Sequence, residues 1–412
     1  MELKQFFPEI DPEKRLALGC MRLPLKKGGL ESAIDYDLCN KMVDRFMEAG
    51  FNYFDTARVY HARASERMIK RCIADRYPRE SFVLTNKLSD GCFKTEEDIR
   101  PLFEDQLRVC GVDYFDFYLM HSLHRENYDK YQETHAFEIA QELKAEGKIR
   151  HVGFSFHDDA EFLEQILNDH PEAEVVQIQF NYLDFDSPSV QSGKLYEICE
   201  KYGKPVLVME PVRGGALAEL PPAAQTVLDE LWKKECASDI DQRPDDEDLP
   251  AGSGIEDGGQ DYDYEQPSPA SYALRFAASF PNIAMVLSGM GDMEMIEDNV
   301  RTMSDFCPID EDELEALEMV KAILQNQNVI QCTACHYCTE GCPQHIRIPD
   351  LFADYNRNQL FKTWNNTFYY EINTTEGGKA SDCIKCGKCE KACPQHLPIR
   401  ELLEKVAAEF EK

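Results

Sequence analysis

Two runs of four cysteines lie near the end of this 412-residue chain, and their spacing indicates a particular chemistry. Each run reads C-x2-C-x2-C-x3-C-P, first as CTACHYCTEGCP from Cys332 and again as CIKCGKCEKACP from Cys383. Four thiolates at this spacing bind a [4Fe–4S] cluster, whereas zinc sites use cysteine pairs that are separated by a longer gap. The sequence therefore predicts two [4Fe–4S] clusters.

The ligands of the two clusters are expected to cross between the runs. In two-cluster proteins the fourth cysteine of each run ligates the cluster of the other run, so neither run completes a cluster alone. The other eight cysteines are scattered, and we interpret them as reduced thiols. The expected ligand sets are Cys332, Cys335, Cys338 and Cys393 for one cluster, and Cys383, Cys386, Cys389 and Cys342 for the other.

A second group of reactive side chains lies in the first third of the chain and comprises Asp55, Tyr60, Lys87 and His121. A tyrosine has a pKa near 10 and is a poor acid at neutral pH. An adjacent ammonium group that is held by a carboxylate lowers the pKa of a tyrosine, and an imidazole orients a carbonyl oxygen. Such a group suits protonation of a carbonyl while a hydride arrives from a reduced nicotinamide.

Eight short apolar runs supply the elements that would bring these four side chains together. Helical segments separate the runs, and most intervals are about 30 residues, which is one strand–helix unit; eight units predict a (β/α)8 TIM barrel, an α/β fold. Functional residues of such a barrel collect at the C-terminal ends of its strands. A doubly wound open sheet is the alternative, but no G-x-G-x-x-G turn follows the first run. The runs begin at Leu16, Phe51, Ser81, Tyr114, Ile149, Val175, Pro205 and Ile283.

The domain boundaries follow from these patterns. We expect a barrel over residues 1–305, a connector helix within 306–330 and a two-cluster domain over 331–412. The stretch 237–268 lengthens the interval before the eighth run and is strongly acidic, which favours a solvated loop on the functional face of the barrel, with a lid as the alternative. The segment IPDLFADYNRNQLF between the cysteine runs indicates that the tail domain is mainly helical.

The segments FDTARVY, LTNK and YLMH resemble the catalytic segments of the aldo-keto reductase superfamily. With its cysteine-rich tail, which is similar to the helical ferredoxin domains of larger redox enzymes, the chain resembles the iron–sulfur-fused branch of that family. The resemblance implies that Tyr60 donates a proton, that Asp55 and Lys87 tune it, and that His121 orients the substrate. It further implies that Ser155 and Gln177 bind the nicotinamide carboxamide and that Gly214 and Gly215 belong to a loop over the cofactor pyrophosphate.

Three departures from the family pattern bear on the cofactor. Phe156 replaces the usual asparagine after the serine, and Met209 and Glu210 stand where an aromatic residue often stacks on the nicotinamide. The segment LSGMGDMEMIEDN contains no basic residue for the 2′-phosphate of NADP, so NAD(P)(H) binding is expected with a preference for NAD(H). A flavin at the same rim is an alternative, because clusters pass single electrons whereas a nicotinamide exchanges a hydride.

These features predict an oxidoreductase that interconverts a small-molecule carbonyl and alcohol and is coupled to, or supported by, two [4Fe–4S] clusters. The clusters are expected to transfer electrons, with a ferredoxin as a candidate partner, or to have a structural or oxygen-sensing role. The alternative is a non-enzymatic redox sensor or electron-transfer subunit that keeps the barrel as a scaffold. A formal net charge of −32 argues against nucleic acid as a partner. We expect a cytoplasmic protein without a membrane span, because the chain has neither a signal-like N-terminus nor an apolar run of about 18 residues.

Overall fold

The computed structural model describes most of both predicted domains. Residues 242–265, the greater part of the predicted acidic insertion, lie outside the described residues, and the helix that precedes them runs to Asp241. Within the described part of the chain, no helix is long and apolar enough to cross a membrane. The described ranges are 6–26, 33–187, 190–241, 266–326, 329–361, 370–371, 373–375 and 377–411.

The eight apolar runs form eight parallel strands, which pair in sequence order and close into a barrel. Strand β1 pairs with β2 on one side and with β8 on the other, so the predicted (β/α)8 fold is confirmed. Most strand residues are buried, as expected for strands that are covered by side chains inside and by helices outside. The strands are β1 Leu16–Gly19, β2 Tyr53–Asp55, β3 Val83–Ser89, β4 Phe115–Leu123, β5 Ile149–Phe156, β6 Val175–Gln179, β7 Val206–Met209 and β8 Ile283–Ser288.

Helices between the strands cover the barrel, and local sequence signals set their ends. The helix after β3 begins at Thr95, whose side chain forms a capping box with Asp98, and it ends at Gly111 in a left-handed conformation with φ +73°. The α-helices of this part are Tyr36–Glu48, Ser65–Met68, Glu96–Cys110, Arg125–Glu133, Ala136–Ala145, Ala160–Asp169, Ser192–Lys201, Pro222–Asp241, Pro269–Ala278, Met293–Ser304 and Glu311–Gln325.

The helix that was predicted as a connector, Glu311–Gln325, packs against the barrel. Asp310 caps its first turn together with Glu313, and Leu317 and Val320 are buried in the same apolar core as the barrel helices. The predicted connector therefore adds to the core of the barrel before the chain enters the tail.

The tail has an apolar core of its own, and its two halves repeat the same backbone turns. Its helices are Tyr337–Glu340, Ile348–Phe361, Lys388–Lys391 and Ile399–Phe410. The two cysteine runs share positive φ angles at matching positions: Ala334 and Lys385, His336 and Gly387, and His345 and His396. The duplication seen in the sequence is therefore a duplication of local structure. The buried apolar residues of the tail core include Ile346, Ile348, Leu351, Phe352, Tyr370, Ile399, Leu403 and Val406.

Candidate active site and cluster sites

Asp55, Lys87 and Tyr60 form one hydrogen-bonded chain at the C-terminal end of the barrel. The Lys87 Nζ atom lies 2.5 Å from Asp55 Oδ1 and 3.3 Å from the Tyr60 hydroxyl, and it also donates to the Thr56 carbonyl at 3.0 Å. Asp55 ends β2, Lys87 lies in β3 with its side chain 0% exposed, and Tyr60 begins a tight turn after β2. The ammonium group therefore reaches both neighbours without contact with bulk water.

The pKa of Tyr60 differs from the sequence-based expectation. Lys87 was predicted to lower this pKa, but burial, together with Tyr337 and Asp55, raises it well above its usual range. Burial likewise lowers the pKa of Lys87, although Asp55 opposes that shift. The free-energy cost of removing a phenolate from water exceeds the stabilisation that one ammonium group at 3.3 Å provides. Tyr60 is consequently protonated at neutral pH, which is the form that a proton donor needs.

His121 lies beside Tyr60, and its ring is neutral. The two rings are 5.9 Å apart in an edge-to-face arrangement, and His121 Nδ1 lies 2.6 Å from the Ser89 hydroxyl. Burial, followed by the charge of Lys87, lowers the pKa of His121 well below its ordinary value. When Ser89 donates to Nδ1, the neutral ring carries its hydrogen on Nε2 and is able to donate it to a carbonyl oxygen.

These side chains border a cavity of about 1020 Å³ at the barrel mouth. This volume lies at the upper end of the range for ligand pockets, about 300–1,000 Å³. Residues at the ends of seven strands contribute to its wall, and three residues of the tail, Cys335, Tyr337 and Pro394, complete it. The wall includes Asp55, Tyr60, His121, Ser155, His157, Gln177, Met209, Glu210, Gly214, Gly215, Asp292, Asn299, Cys335, Tyr337 and Pro394.

The residues expected at the nicotinamide carboxamide lie in this wall and already hold internal contacts. Ser155 Oγ accepts a hydrogen bond from the Ser122 amide at 2.6 Å, and Gln177 Nε2 donates to Asp55 Oδ2 at 3.2 Å. The Gln177 carbonyl oxygen thus remains for a ligand amide. Phe156 is buried in the aromatic core of the barrel and does not line the cavity, so position 156 supplies no amide to the wall.

The glycine loop after β7 contacts the tail backbone. Gly214 has φ +67°, and a Cβ atom there would lie 2.2 Å from the Thr333 carbonyl oxygen. The same carbonyl accepts a hydrogen bond from Arg22 Nη2 at 2.5 Å. Gly214 and Gly215 also line the cavity, as expected for a loop that covers a cofactor, but the close approach of the tail was not predicted.

The end of the cavity that lies beside β8 is acidic. Asp292, Glu294, Glu297 and Asp298 line it. Arg301, which follows the segment considered in the sequence, lies there as well and pairs with Asp298 at 2.8 Å. Among its described residues, the wall at this end therefore carries four carboxylates against the guanidinium groups of Arg301 and of Arg22, whose side chain lies beside Gly289.

The eight tail cysteines surround two separate hollows in the crossed arrangement that the spacing predicts. Among the described residues, no three His, Cys, Asp or Glu side chains converge closely enough to hold one bare metal ion. Four thiols around an apolar hollow suit a [4Fe–4S] cluster. His345 and His396, which follow the Cys-Pro pairs, are exposed. Cys332, Cys335, Cys338 and Cys393 line the first hollow, and Cys342, Cys383, Cys386 and Cys389 line the second.

Buried polar contacts hold the first hollow against the barrel. Arg213 bonds Asp184 at 2.9 Å and reaches Gln331 of the tail at 2.7 Å. Gln179 of β6 and Gln395 of the tail exchange two side-chain hydrogen bonds, at 3.2 and 2.8 Å. Because Arg213, Gln179 and Gln395 are buried, separating the tail would leave some of these groups without partners.

Glu210 lies between the cavity and the first cysteine set. Its Oε2 atom is buried and has no hydrogen-bond partner in the described part of the chain. Burial beside Asp184 raises the pKa of Glu210 to about 7, although Arg213 and Arg22 oppose the shift. The position that was noted as lacking an aromatic residue thus presents a carboxyl group to the cavity.

Three further wall residues were not identified from the sequence: Arg22, His157 and Tyr337. Tyr337 carries the clearest signal, because the two cysteine runs differ at this point: CHYC in the first corresponds to CGKC in the second. Tyr337 shares the cavity wall with Tyr60 and contributes to the raised pKa of Tyr60. His157 follows β5 directly and Arg22 lies three residues after β1, but position near a strand end alone does not distinguish them from neighbouring residues.

Comparison with known proteins agrees with the two-part architecture. Residues 15–322 match the aldo/keto reductase family, and residues 331–397 match the 4Fe-4S dicluster domain. An uncharacterized oxidoreductase of Bacillus subtilis is 24% identical over 74% of this chain and 91% of its own length. The NADH-specific methylglyoxal reductase of Escherichia coli is 28% identical over 50% of this chain and 69% of its own length.

Solved structures resemble the barrel at the level of the fold. An aldo-keto reductase from Bacillus halodurans superposes with a TM-score of 0.54 at 21% identity, over 74% of this chain and 91% of that one. One from Klebsiella pneumoniae, in complex with NADPH, has a TM-score of 0.54 at 18% identity, over 74% and 90%. Since the family match spans the whole barrel and its strands close as in these relatives, the chain belongs to the aldo/keto reductase family and carries a C-terminal 4Fe-4S dicluster domain.

Proposed function

We propose that this protein interconverts a carbonyl compound and an alcohol by hydride exchange with NAD(H), and that its two clusters form an electron path between the cavity and the protein surface. The observation that carries the first part is the contact of Lys87 with Tyr60, beside His121, in the wall of a cavity of about 1020 Å³. Family membership supports the reaction class, and the chemistry of the wall supports the roles of the individual side chains.

The roles follow from charge and reach. Tyr60 is protonated at neutral pH and gives its proton to the carbonyl oxygen. The Lys87 ammonium, which Asp55 holds, stabilises the phenolate that remains. His121, whose Nδ1 lies against the Ser89 hydroxyl, orients the same oxygen through Nε2. Bound NADH supplies the hydride to the carbonyl carbon, so one carbonyl, one NADH and one proton give one alcohol and one NAD⁺.

The acidic end of the cavity supports NAD(H) over NADP(H). An additional phosphate there would lie near Asp292 and Glu294, and like charges repel. The E. coli relative is named as NADH-specific, whereas the Klebsiella neighbour was solved with NADPH. Comparison of kcat/KM for NADH and NADPH with the same aldehyde tests the preference; a higher value with NADPH would contradict it.

The arrangement of the two hollows supports the electron path. Cys335 lines both the first hollow and the cavity, and Ile348 lines both hollows. Cys386 of the second hollow is exposed, as is Ile384 with 60% of its surface accessible. When bound, the clusters supply single electrons. The exposed edge would then receive a small redox protein such as a ferredoxin, and a flavin at the cavity would convert single electrons into a hydride.

Substitution of Tyr60 tests the catalytic proposal. The holoprotein, purified without oxygen, is assayed with NADH and a panel of aldehydes and ketones that includes methylglyoxal. We expect Tyr60→Phe to lower kcat by about 10²- to 10⁴-fold while iron content is unchanged. Tyr182→Phe is the matched control, because Tyr182 is a buried barrel tyrosine outside the cavity wall. Full activity of Tyr60→Phe would refute the role of Tyr60, whereas absence of turnover in the wild-type holoprotein with every substrate of the panel would favour the barrel as a scaffold for redox sensing.

The cluster absorbance tests the electron path. NADH is added to the oxidised holoprotein without oxygen, and the visible absorbance is followed. Bleaching that Cys335→Ser abolishes supports the path and calls for extraction and identification of a flavin. Clusters that stay oxidised with NADH and also with a reduced ferredoxin would refute the path and leave them a structural role.

A further inference from the structure

The two cysteine runs place matching residues in opposite surroundings. In the first run, Thr333 is 1% exposed, and its carbonyl oxygen accepts a hydrogen bond from Arg22 Nη2 on the barrel rim at 2.5 Å. Ile384 holds the same place in the second run and is 60% exposed, more than any other large apolar side chain among the described residues. The backbone turn is shared, because the residues that follow, Ala334 and Lys385, have φ angles of +50° and +58°. The turn that docks the first run on the barrel is therefore exposed in the second run.

The next two matched positions show the same contrast. Cys335 and Tyr337 of the first run lie in the wall of the cavity, whereas Cys386 and Lys388 of the second run are exposed. Cys386 is also one of the four cysteines around the second hollow, so the wall of this hollow extends to the protein surface. Residues 383–391, which we call the outer cysteine loop, thus present to solvent the face that the first run presents to the barrel.

The outer cysteine loop is basic, although the chain as a whole is strongly acidic. The loop has three exposed lysines, Lys385, Lys388 and Lys391. Its one acidic residue, Glu390, is paired with Arg400 at 2.7 Å. The corresponding residues of the first run include no lysine and no arginine, and the whole chain has 44 basic against 76 acidic side chains. Positive charge is therefore concentrated on the cysteine loop that faces solvent.

Two of the three lysines have carboxylate neighbours on the protein itself. Lys385 pairs with Glu404 at 2.5 Å, and Lys391 lies 3.7 Å from Glu126 of the barrel. All four side chains are more than half exposed, and ion pairs at such positions stabilise a protein only slightly, because water and salt screen them. Each ammonium group can therefore exchange its own carboxylate for one on a partner at little cost.

Salt separates the charge of the loop from the charge of the rest of the protein. At about 0.1 M salt the interaction between exposed charges is screened beyond about 10 Å. A partner that lies on the outer cysteine loop is then affected mainly by the lysines there, and little by the distant carboxylates that give the chain its net charge of −32. An acidic partner is therefore attracted at this loop at moderate salt.

We propose that the outer cysteine loop is the docking surface for a small one-electron carrier whose redox group is surrounded by acidic residues. Ile384 forms the apolar centre of the contact and the three lysines form its charged rim, as in many transient interfaces. The inference rests on the proposed electron path and specifies its partner. In each encounter the reduced carrier passes one electron to the cluster site of the second hollow and is itself oxidised, without transfer of a proton.

The first test removes the charge of the loop. Binding of an acidic plant-type [2Fe–2S] ferredoxin to the holoprotein is measured by calorimetry without oxygen, at about 0.1 M and about 1 M salt. In Lys385→Gln/Lys388→Gln the Kd at the lower salt concentration should rise about 3- to 30-fold, as expected for the loss of two exposed charge pairs, and the difference should vanish at the higher one. Lys201→Gln/Lys234→Gln is the matched control, because it removes two exposed lysines from the barrel and should leave the Kd unchanged.

The second test removes the apolar centre of the contact. Ile384→Ser should raise the Kd about 3- to 10-fold at both salt concentrations, since the burial of apolar surface does not depend on screening. Met319→Ser is the control, because Met319 is 52% exposed on the helix Glu311–Gln325 of the barrel, and it should not change the Kd. Iron content and visible absorbance verify that the clusters are intact in each variant.

The outcomes separate the docking surface from the electron path. Absence of ferredoxin binding by the wild type, an unchanged Kd in Lys385→Gln/Lys388→Gln, or an equal rise in the barrel control would overturn the docking surface. A holoprotein dimer that Ile384→Ser converts into monomers would also overturn it, because a second copy of the chain would then cover the loop. Reduced ferredoxin that binds as expected but leaves the clusters oxidised would instead refute the electron path.

Discussion

Replacement of Gly214 by alanine should loosen the tail at the point where it covers the cavity. The added Cβ atom would lie 2.2 Å from the Thr333 carbonyl oxygen, so the tail backbone must withdraw by about 1 Å to reach ordinary contact. Overpacking of this kind costs about 1–3 kcal/mol. The withdrawal also lengthens the hydrogen bond from Arg22 to the same carbonyl, which now measures 2.5 Å.

Hydrogen–deuterium exchange of the tail amides near Thr333 measures this loosening. A loss of about 1–3 kcal/mol in the local opening free energy corresponds to exchange that is about 5- to 150-fold faster. The measurement is made without oxygen on protein with full iron content. Barrel strands far from the rim serve as an internal reference, and their exchange should not change.

Gly215→Ala is the control that isolates the collision from backbone strain. Gly215 has φ +102°, which is at least as unfavourable for alanine as the +67° of Gly214, but no atom lies within 4 Å of its added Cβ. If Gly215→Ala speeds exchange near Thr333 as much as Gly214→Ala does, strain in the loop and not contact with the tail is responsible. That result would refute our account of the interface.

Three other substitutions have expected outcomes. Arg213→Gln leaves Asp184 buried without its cation, so the unfolding free energy should fall by about 3–5 kcal/mol and the thermal midpoint with it. Cys342→Ser should remove the cluster of the second run and Cys393→Ser that of the first, as followed by iron content and cluster spectra. Burial lowers the pKa of His157 from 6.5 to about 3, so the unfolded chain takes up a proton below pH 6.5 that the folded protein does not. The unfolding free energy should therefore fall as the pH drops below 6.5. His157→Gln should reduce this loss by at most about 2 kcal/mol at pH 5.

Each of these has a control of the same residue type. Arg100→Gln breaks only exposed pairs with Glu142 and Glu146 and should change stability by less than about 1 kcal/mol. Cys386→Ser should resemble Cys342→Ser; resemblance to Cys393→Ser would contradict the crossed ligand sets. Replacement of His135, whose pKa is raised, by glutamine should not reduce the loss of stability at acid pH.

The barrel and the cysteine sets could be predicted because their signals are local. Parallel strands covered on both faces are continuous apolar runs, and the cluster ligands lie within two short segments of the sequence. The order Asp55, Tyr60, Lys87 and His121 likewise identified the four side chains that the strand ends bring together. Each of these features depends on the residues near it and on regular geometry.

What could not be predicted depends on contacts between distant segments. The pKa of Tyr60 is raised because the barrel mouth is covered and because Tyr337 of the tail lies in the same cavity wall, and neither fact can be read from the residues around position 60. The sequence also identified Glu210 as a departure from the family pattern. The sequence does not show that Glu210 is a buried carboxyl group between the cavity and the first cysteine set, because its burial depends on how the tail packs on the barrel rim.

The position of the tail changes how the two domains should be understood. As separate modules, an electron carrier and a hydride-transfer barrel need only approach each other, and loss of the tail would leave the barrel complete. Here the tail supplies part of the cavity wall through Cys335 and Tyr337, and barrel groups such as Gln179 and Arg213 are satisfied by tail side chains. A barrel without its tail would therefore expose buried polar groups and lose part of the cavity wall. The cluster domain is thus a structural part of the candidate active site, whatever electrons pass through it.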